Sequence, residues 1–200
     1  MEFAYEGGNT LSNSFDPATL ASVPQQHDDI QAAALDVRLD YLVGGAARSR
    51  LSFETIVATG DPDRIHTSNT FGGNRGGTDD QAFNAFGLLN TGLAFSPAVS
   101  NVIVVRVGGS TFPLGNSELF RRFQVGADLL TFLKYRSSAP IDETTTDDRY
   151  LGFEPDLYLN WQITSDVTLA MRYGVFFPGT AIVSDDHPRN FLFVGVTFAF

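Results

Sequence analysis

Seven basic side chains, Arg38, Arg50, Arg106, Arg122, Lys134, Arg136 and Arg172, recur on the polar side of alternating stretches of this 200-residue chain. Guanidinium forks in such a row can line a path selective for carboxylated or phosphorylated solutes. Eight acids share those faces: Glu2, Glu6, Asp36, Asp40, Glu54, Asp128, Glu154 and Asp156. Seven against eight is almost neutral, which favours cross-strand ion pairs as the reading of most of these charges. Arg172 is the residue on which we place a role in solute passage, because Ala170 and Gly174 beside it are small.

Other chemistries find less support. The chain has no cysteine, which excludes a disulfide scaffold, a thiol enzyme and a Cys-type zinc site. His27, His66 and His187 fall in long connectors and in no Gly-x-Ser-x-Gly or His-Glu-x-x-His context, so we expect no enzyme. Phe71 to Gly77 is glycine-rich but lacks a following Lys-Ser/Thr, so it is no phosphate loop. Acid pairs such as Asp61 with Asp63 and Asp79 with Asp80 match no complete calcium motif; no metal and no cofactor are expected. The formal net charge of −10, with Lys134 the sole lysine among 13 basic residues, argues against a nucleic-acid partner.

The elements that must position these residues are strands. From Tyr150 to Ile163 the odd positions Leu151, Phe153, Pro155, Leu157, Leu159, Trp161 and Ile163 are apolar, and the even ones, Glu154, Asp156 and Asn160 among them, nearly all polar. Such alternation makes a sheet with two chemically different faces. Pro155 cannot donate to a ladder and suggests a bulge there. Residues 121–136 alternate likewise, except that Leu130 and Phe132 break the polar side.

Eight strands are predicted, at roughly 1–7, 31–43, 48–59, 101–112, 119–136, 149–163, 167–177 and 190–200. Several reach about 10 residues, the length a tilted strand needs to cross a bilayer. Aromatics near strand ends, Tyr135, Tyr150, Trp161, Phe176 and Phe177, suit an interfacial girdle. Short connectors at 44–47, 113–118 and 164–166 alternate with long ones at 8–30, 60–99, 137–148 and 178–189. The fold class expected is therefore all-β, an antiparallel transmembrane β-barrel or partial barrel with long external loops. Residues 60–99 are too long and too aromatic for an idle loop; they read as folded into the lumen, with room for a short helix near 80–90, or equally as an external lid. No run of 18 apolar residues exists for a transmembrane helix, and no secretory signal opens the chain.

Several motifs carry a family likeness. They are Glu2 to Gly8, Ala58 to Asp61, Thr70 to Asn74 with Gly77 to Asp80, Asn90 to Ala94, Asn160-Trp161 with Ser165-Asp166, and Arg172 to Gly179. In succession they resemble the C-terminal portion of the alginate-export family of outer-membrane barrels. The resemblance implies a single-chain barrel of eighteen strands whose arginine-rich lumen passes a polyanionic polysaccharide outward. It implies too that residues 1–200 are either one barrel domain or the C-terminal half of a larger barrel, the signal peptide lying in the missing part.

Expected partners are outer-membrane lipid, an anionic polysaccharide or small anionic solute, and the barrel-assembly machinery through the C-terminal strand ending at Phe200. The alternative function is a self-sufficient eight-stranded barrel with a structural or surface-adhesion role. Eight strands closed alone leave room for their own side chains only, whereas 16 to 18 leave a channel. One wall of a pore is what this chain can supply.

Overall fold

A computed structural model describes residues 1–16, 19–64, 73–84, 89–184 and 186–199. Eight strands follow one another: β1 (Glu2–Leu11), β2 (His27–Leu42), β3 (Arg50–Ala58), β4 (Val102–Thr111), β5 (Phe123–Lys134), β6 (Tyr150–Gln162), β7 (Val167–Pro178) and β8 (Arg189–Phe198). Each pairs antiparallel with the next in a single sheet of order β1 to β8. β1 and β8 do not pair, so the sheet is an antiparallel barrel wall left open along one seam. Connectors at one end (43–49, 112–122 and 163–166) are on the whole shorter than those at the other (12–26, 59–101, 135–149 and 179–188), and both termini lie at the end with the shorter ones.

The face formed by the odd positions of β1 to β7 and the even positions of β8 is apolar and open. Leu39, Tyr41, Leu51, Val107, Leu129, Leu157, Leu192, Val194 and Val196 are each more than half exposed. A continuous apolar surface of that size belongs against hydrocarbon rather than water. At its short-connector rim, Trp161 stacks on Phe120 with ring centroids 4.9 Å apart and donates its indole N–H to Leu119 O at 3.2 Å. That amphipathic arrangement is what a headgroup boundary favours.

The opposite face is divided. Towards the short connectors it is polar; towards the long ones it carries Ala32, Ala34, Ile56, Ala58, Val102, Val104, Leu130, Phe132 and Phe176, all buried. What covers them is the β3–β4 connector, which crosses the sheet like a strap. Asp80 bridges to Ile30 on β2, the Asn84 N–H donates to Glu6 of β1, and Phe95 lies on Phe132 of β5 and Phe176 of β7. Residues 81–84, 89 and 90 form no helix, and 85–88 of the expected helix fall outside the described residues.

Three local expectations are corrected. The bulge in β6 is at Leu151, where the β5 register shifts between Phe132 and Leu133; Pro155 pairs with Leu129 in unbroken register, and on the β7 side the ladder skips Glu154 and Pro155 without a shift. Gly152 takes φ 149°, a conformation glycine tolerates best. The extra residue flips Leu151 from the open face into the core. Phe176 belongs to no girdle, being fully buried under Phe95. The β1–β2 hairpin runs on to Leu11 and His27, so His27 starts a strand and the connector there narrows to 12–26.

Candidate functional site

The polar half of the divided face is assembled by register. Antiparallel pairing sets Arg38 opposite Glu54 and Glu54 opposite Arg106. Two residues towards the short connectors it sets Asp40 opposite Ser52, Ser52 opposite Gly108, Gly108 opposite Asp128, and Asp128 opposite Asp156. Alternate positions on a strand share a face, so these charges converge without any loop to carry them.

Arg50 holds Asp40 at 2.7 Å, and Arg106 is ion-paired with Glu54. Arg106 also donates to Asn90 O of the connector at 2.6 Å. Arg38 is held more loosely, 3.3 Å from Asp40 and 3.8 Å from Glu54, with 48% of its side chain exposed. A cleft of about 90 Å³ lies between them, lined by Arg38, Arg50, Arg106, Gln124, Asp128 and Tyr158. Asp128 lies over Gly108 and Asp156 over Gly174, positions where a Cβ would collide with the carboxylates.

The other four basic residues stand apart from this group. Arg172 spends its guanidinium on Leu159 O at 3.2 Å, Met171 O at 2.9 Å and Asn160 Oδ1 at 2.9 Å. Lys134 is 1% exposed and donates to Thr145 Oγ1 at 3.2 Å and Thr146 O at 2.7 Å, pinning the β5–β6 connector. Arg136 lies past the end of β5 and bonds Gln81. Arg122 lies exposed in the turn before β5, outside the wall, because the strand starts at Phe123.

Of the acids expected here, Glu154 is fully buried and Asp156 6% exposed. Glu154 accepts N–H groups from Leu93 at 2.6 Å, Ala94 at 2.9 Å and Phe95 at 2.6 Å, so it serves the connector rather than an arginine. No motif could have announced this, since its partners are peptide groups that any sequence carries. Asn101, at φ 51°, was missed as well: its side chain accepts from Arg136 N at 2.8 Å and donates to Ala139 O at 2.7 Å. Asn tolerates that backbone, which is the one signal the sequence held.

The connector acids serve structure. Asp80 pairs with buried Arg64 at 2.5 Å. Asp61 accepts from Asp63 N and Gln81 N, yet burial, the larger effect, pushes its carboxyl above the ordinary aspartate range. Glu143 binds Arg189 at 2.5 Å and the Ser184 hydroxyl; those bonds, Arg189's foremost, hold its carboxyl below the ordinary glutamate range despite burial. Among the described residues no three metal-ligating side chains gather around one point. His187 lies beside Asp186 at 3.1 Å, while His66, Asp185 and Phe200 fall outside the described residues.

A strip of interleaved arginines and acids on the sheet's polar face is thus placed beside a connector that it helps to hold. A family model described as alginate export matches residues 21–194. No curated protein matches the chain.

Proposed function

The chain belongs to the alginate export family, an outer-membrane family that exports polysaccharide, and on that premise we propose that its polar sheet face is one wall of a conduit for an anionic polysaccharide or small anionic solutes. Outer-membrane lipid covers the open apolar face, and β8 is the strand offered to the barrel-assembly machinery. The family's work is transport rather than catalysis.

The observation that carries the reading is the unequal use of three neighbouring guanidinium groups. Arg50 and Arg106 are committed to Asp40, Glu54 and Asn90 O, and they fix the shape of the cleft. Arg38, half exposed and at longer range from its acids, keeps donors to offer a passing carboxylate. Its planar fork matches carboxylate geometry. The acids on either side compete for it, so an anion is held weakly enough to leave, which conduction requires.

The test is the reversal potential across a planar bilayer under a salt gradient. Arg38→Glu is expected to shift it towards cation preference. Arg172→Gln is expected to act on stability and leave selectivity close to wild type, because its donors are occupied. A reversal potential unchanged by Arg38→Glu would overturn the assignment.

A further inference from the structure

The carboxylate of Glu154 is a seat for three consecutive peptide N–H groups, those of Leu93, Ala94 and Phe95, at 2.6, 2.9 and 2.6 Å. Successive N–H groups converging on one point form an anion nest, and bonds to a full charge are among the stronger ones a protein makes. Here the anion is a residue of the sheet, fully buried, and the nest is on the segment it holds.

Two further features fit the segment to this seat. Gly92 lets it approach: a Cβ there would collide with Phe95 O and stand 3.1 Å from Glu154 Oε1. Phe95 then wedges between Phe132 and Phe176, with ring centroids 5.0 and 4.2 Å away. The beginning of the same segment borders the charged cleft, because Asn90 O accepts from Arg106. Whatever moves residues 90–95 therefore moves an edge of the solute path.

We propose that Glu154 is the positioning residue of the conduit: its carboxylate seats residues 89–101 on the sheet, and the segment so held sets the width of the path beside Arg38 and Arg106. The second half of this statement rests on the polar face being a conduit; the first does not. In Glu154→Gln the shape is kept, but one oxygen becomes an NH₂ that faces N–H donors and cannot accept from them. Three donors then share one acceptor in a site closed to water, which favours release of the segment.

Two measurements on the membrane-reconstituted protein test the proposal. In Glu154→Gln, amide exchange at 93–95 should quicken about tenfold or more while exchange in β2 to β5 stays as in wild type, and single-channel conductance should rise. Gly92→Ala should do the same by crowding Phe95 O while the carboxylate keeps both of its acceptor oxygens, and it decides the matter if Glu154→Gln fails to insert. Unchanged exchange at 93–95 overturns the seat. Faster exchange with unchanged conductance overturns the control of width. Anion preference, read separately through Arg38→Glu, reports on the conduit itself, so failure of either idea is distinguishable from failure of the other.

Discussion

Arg172 and Arg38 share a sheet face, yet Arg172 bonds two carbonyls and an amide while Arg38 shares two acids at 3.3 and 3.8 Å. Sequence spacing places both on the polar side but cannot say which has donors to spare. That depends on Asp40 and Glu54 arriving from neighbouring positions in the register. The same holds for Glu143, which Arg189 and Ser184 reach from the far side of the β7–β8 connector. Because its folded pKa is depressed, the clamp contributes stability above the ordinary glutamate value and loses it as pH falls through the lowered one. The protection of amides in residues 141–146, taken relative to their intrinsic exchange rates, should therefore fall on acidification through that window, and Glu143→Gln should remove the dependence. Asp61, with its raised pKa, has the opposite sign: its contribution is present in acid and fades as pH climbs through the elevated value.

Among elements, the strap between β3 and β4 is what the alternating pattern conveyed only by its exceptions. Leu130 and Phe132 interrupt the polar side of β5, and both are fully buried in the cluster that Phe95 joins by lying on Phe132. Period-two alternation records which face a residue takes and is silent about what lies on that face, so an apolar residue on the polar side reads as noise until its cover is known. The strands themselves were legible to within a few residues, since length and alternation are local properties. The bulge was not: Pro155 stays in register, and the shift falls at Leu151, beside a glycine whose freedom leaves no mark in the pattern. Phe95→Ala removes the wedge between Phe132 and Phe176, and truncations of this kind cost about 3–5 kcal/mol. Limited proteolysis should cut residues 89–101 of that variant readily while the strands resist; a connector as resistant as wild type would contradict the strap.

For the whole molecule, the open seam matters most. β1 and β8 each present unpaired backbone groups, and β8 is apolar on both faces, with Phe191 and Phe193 exposed on the side where its neighbour carries Arg172. In hydrocarbon each unsatisfied backbone group costs several kcal/mol, so eight strands held open require an edge partner. Light scattering of the isolated chain in detergent should find it associated; a single-chain particle with fast-exchanging edge amides in β1 and β8 would count against this. Lys134, the sole lysine, is walled in by the β5–β6 connector. An acylating reagent therefore finds no side-chain amine until that wall gives way, and the label on Lys134, read apart from the one on the exposed α-amino group, becomes a covalent clock for the opening of the structure.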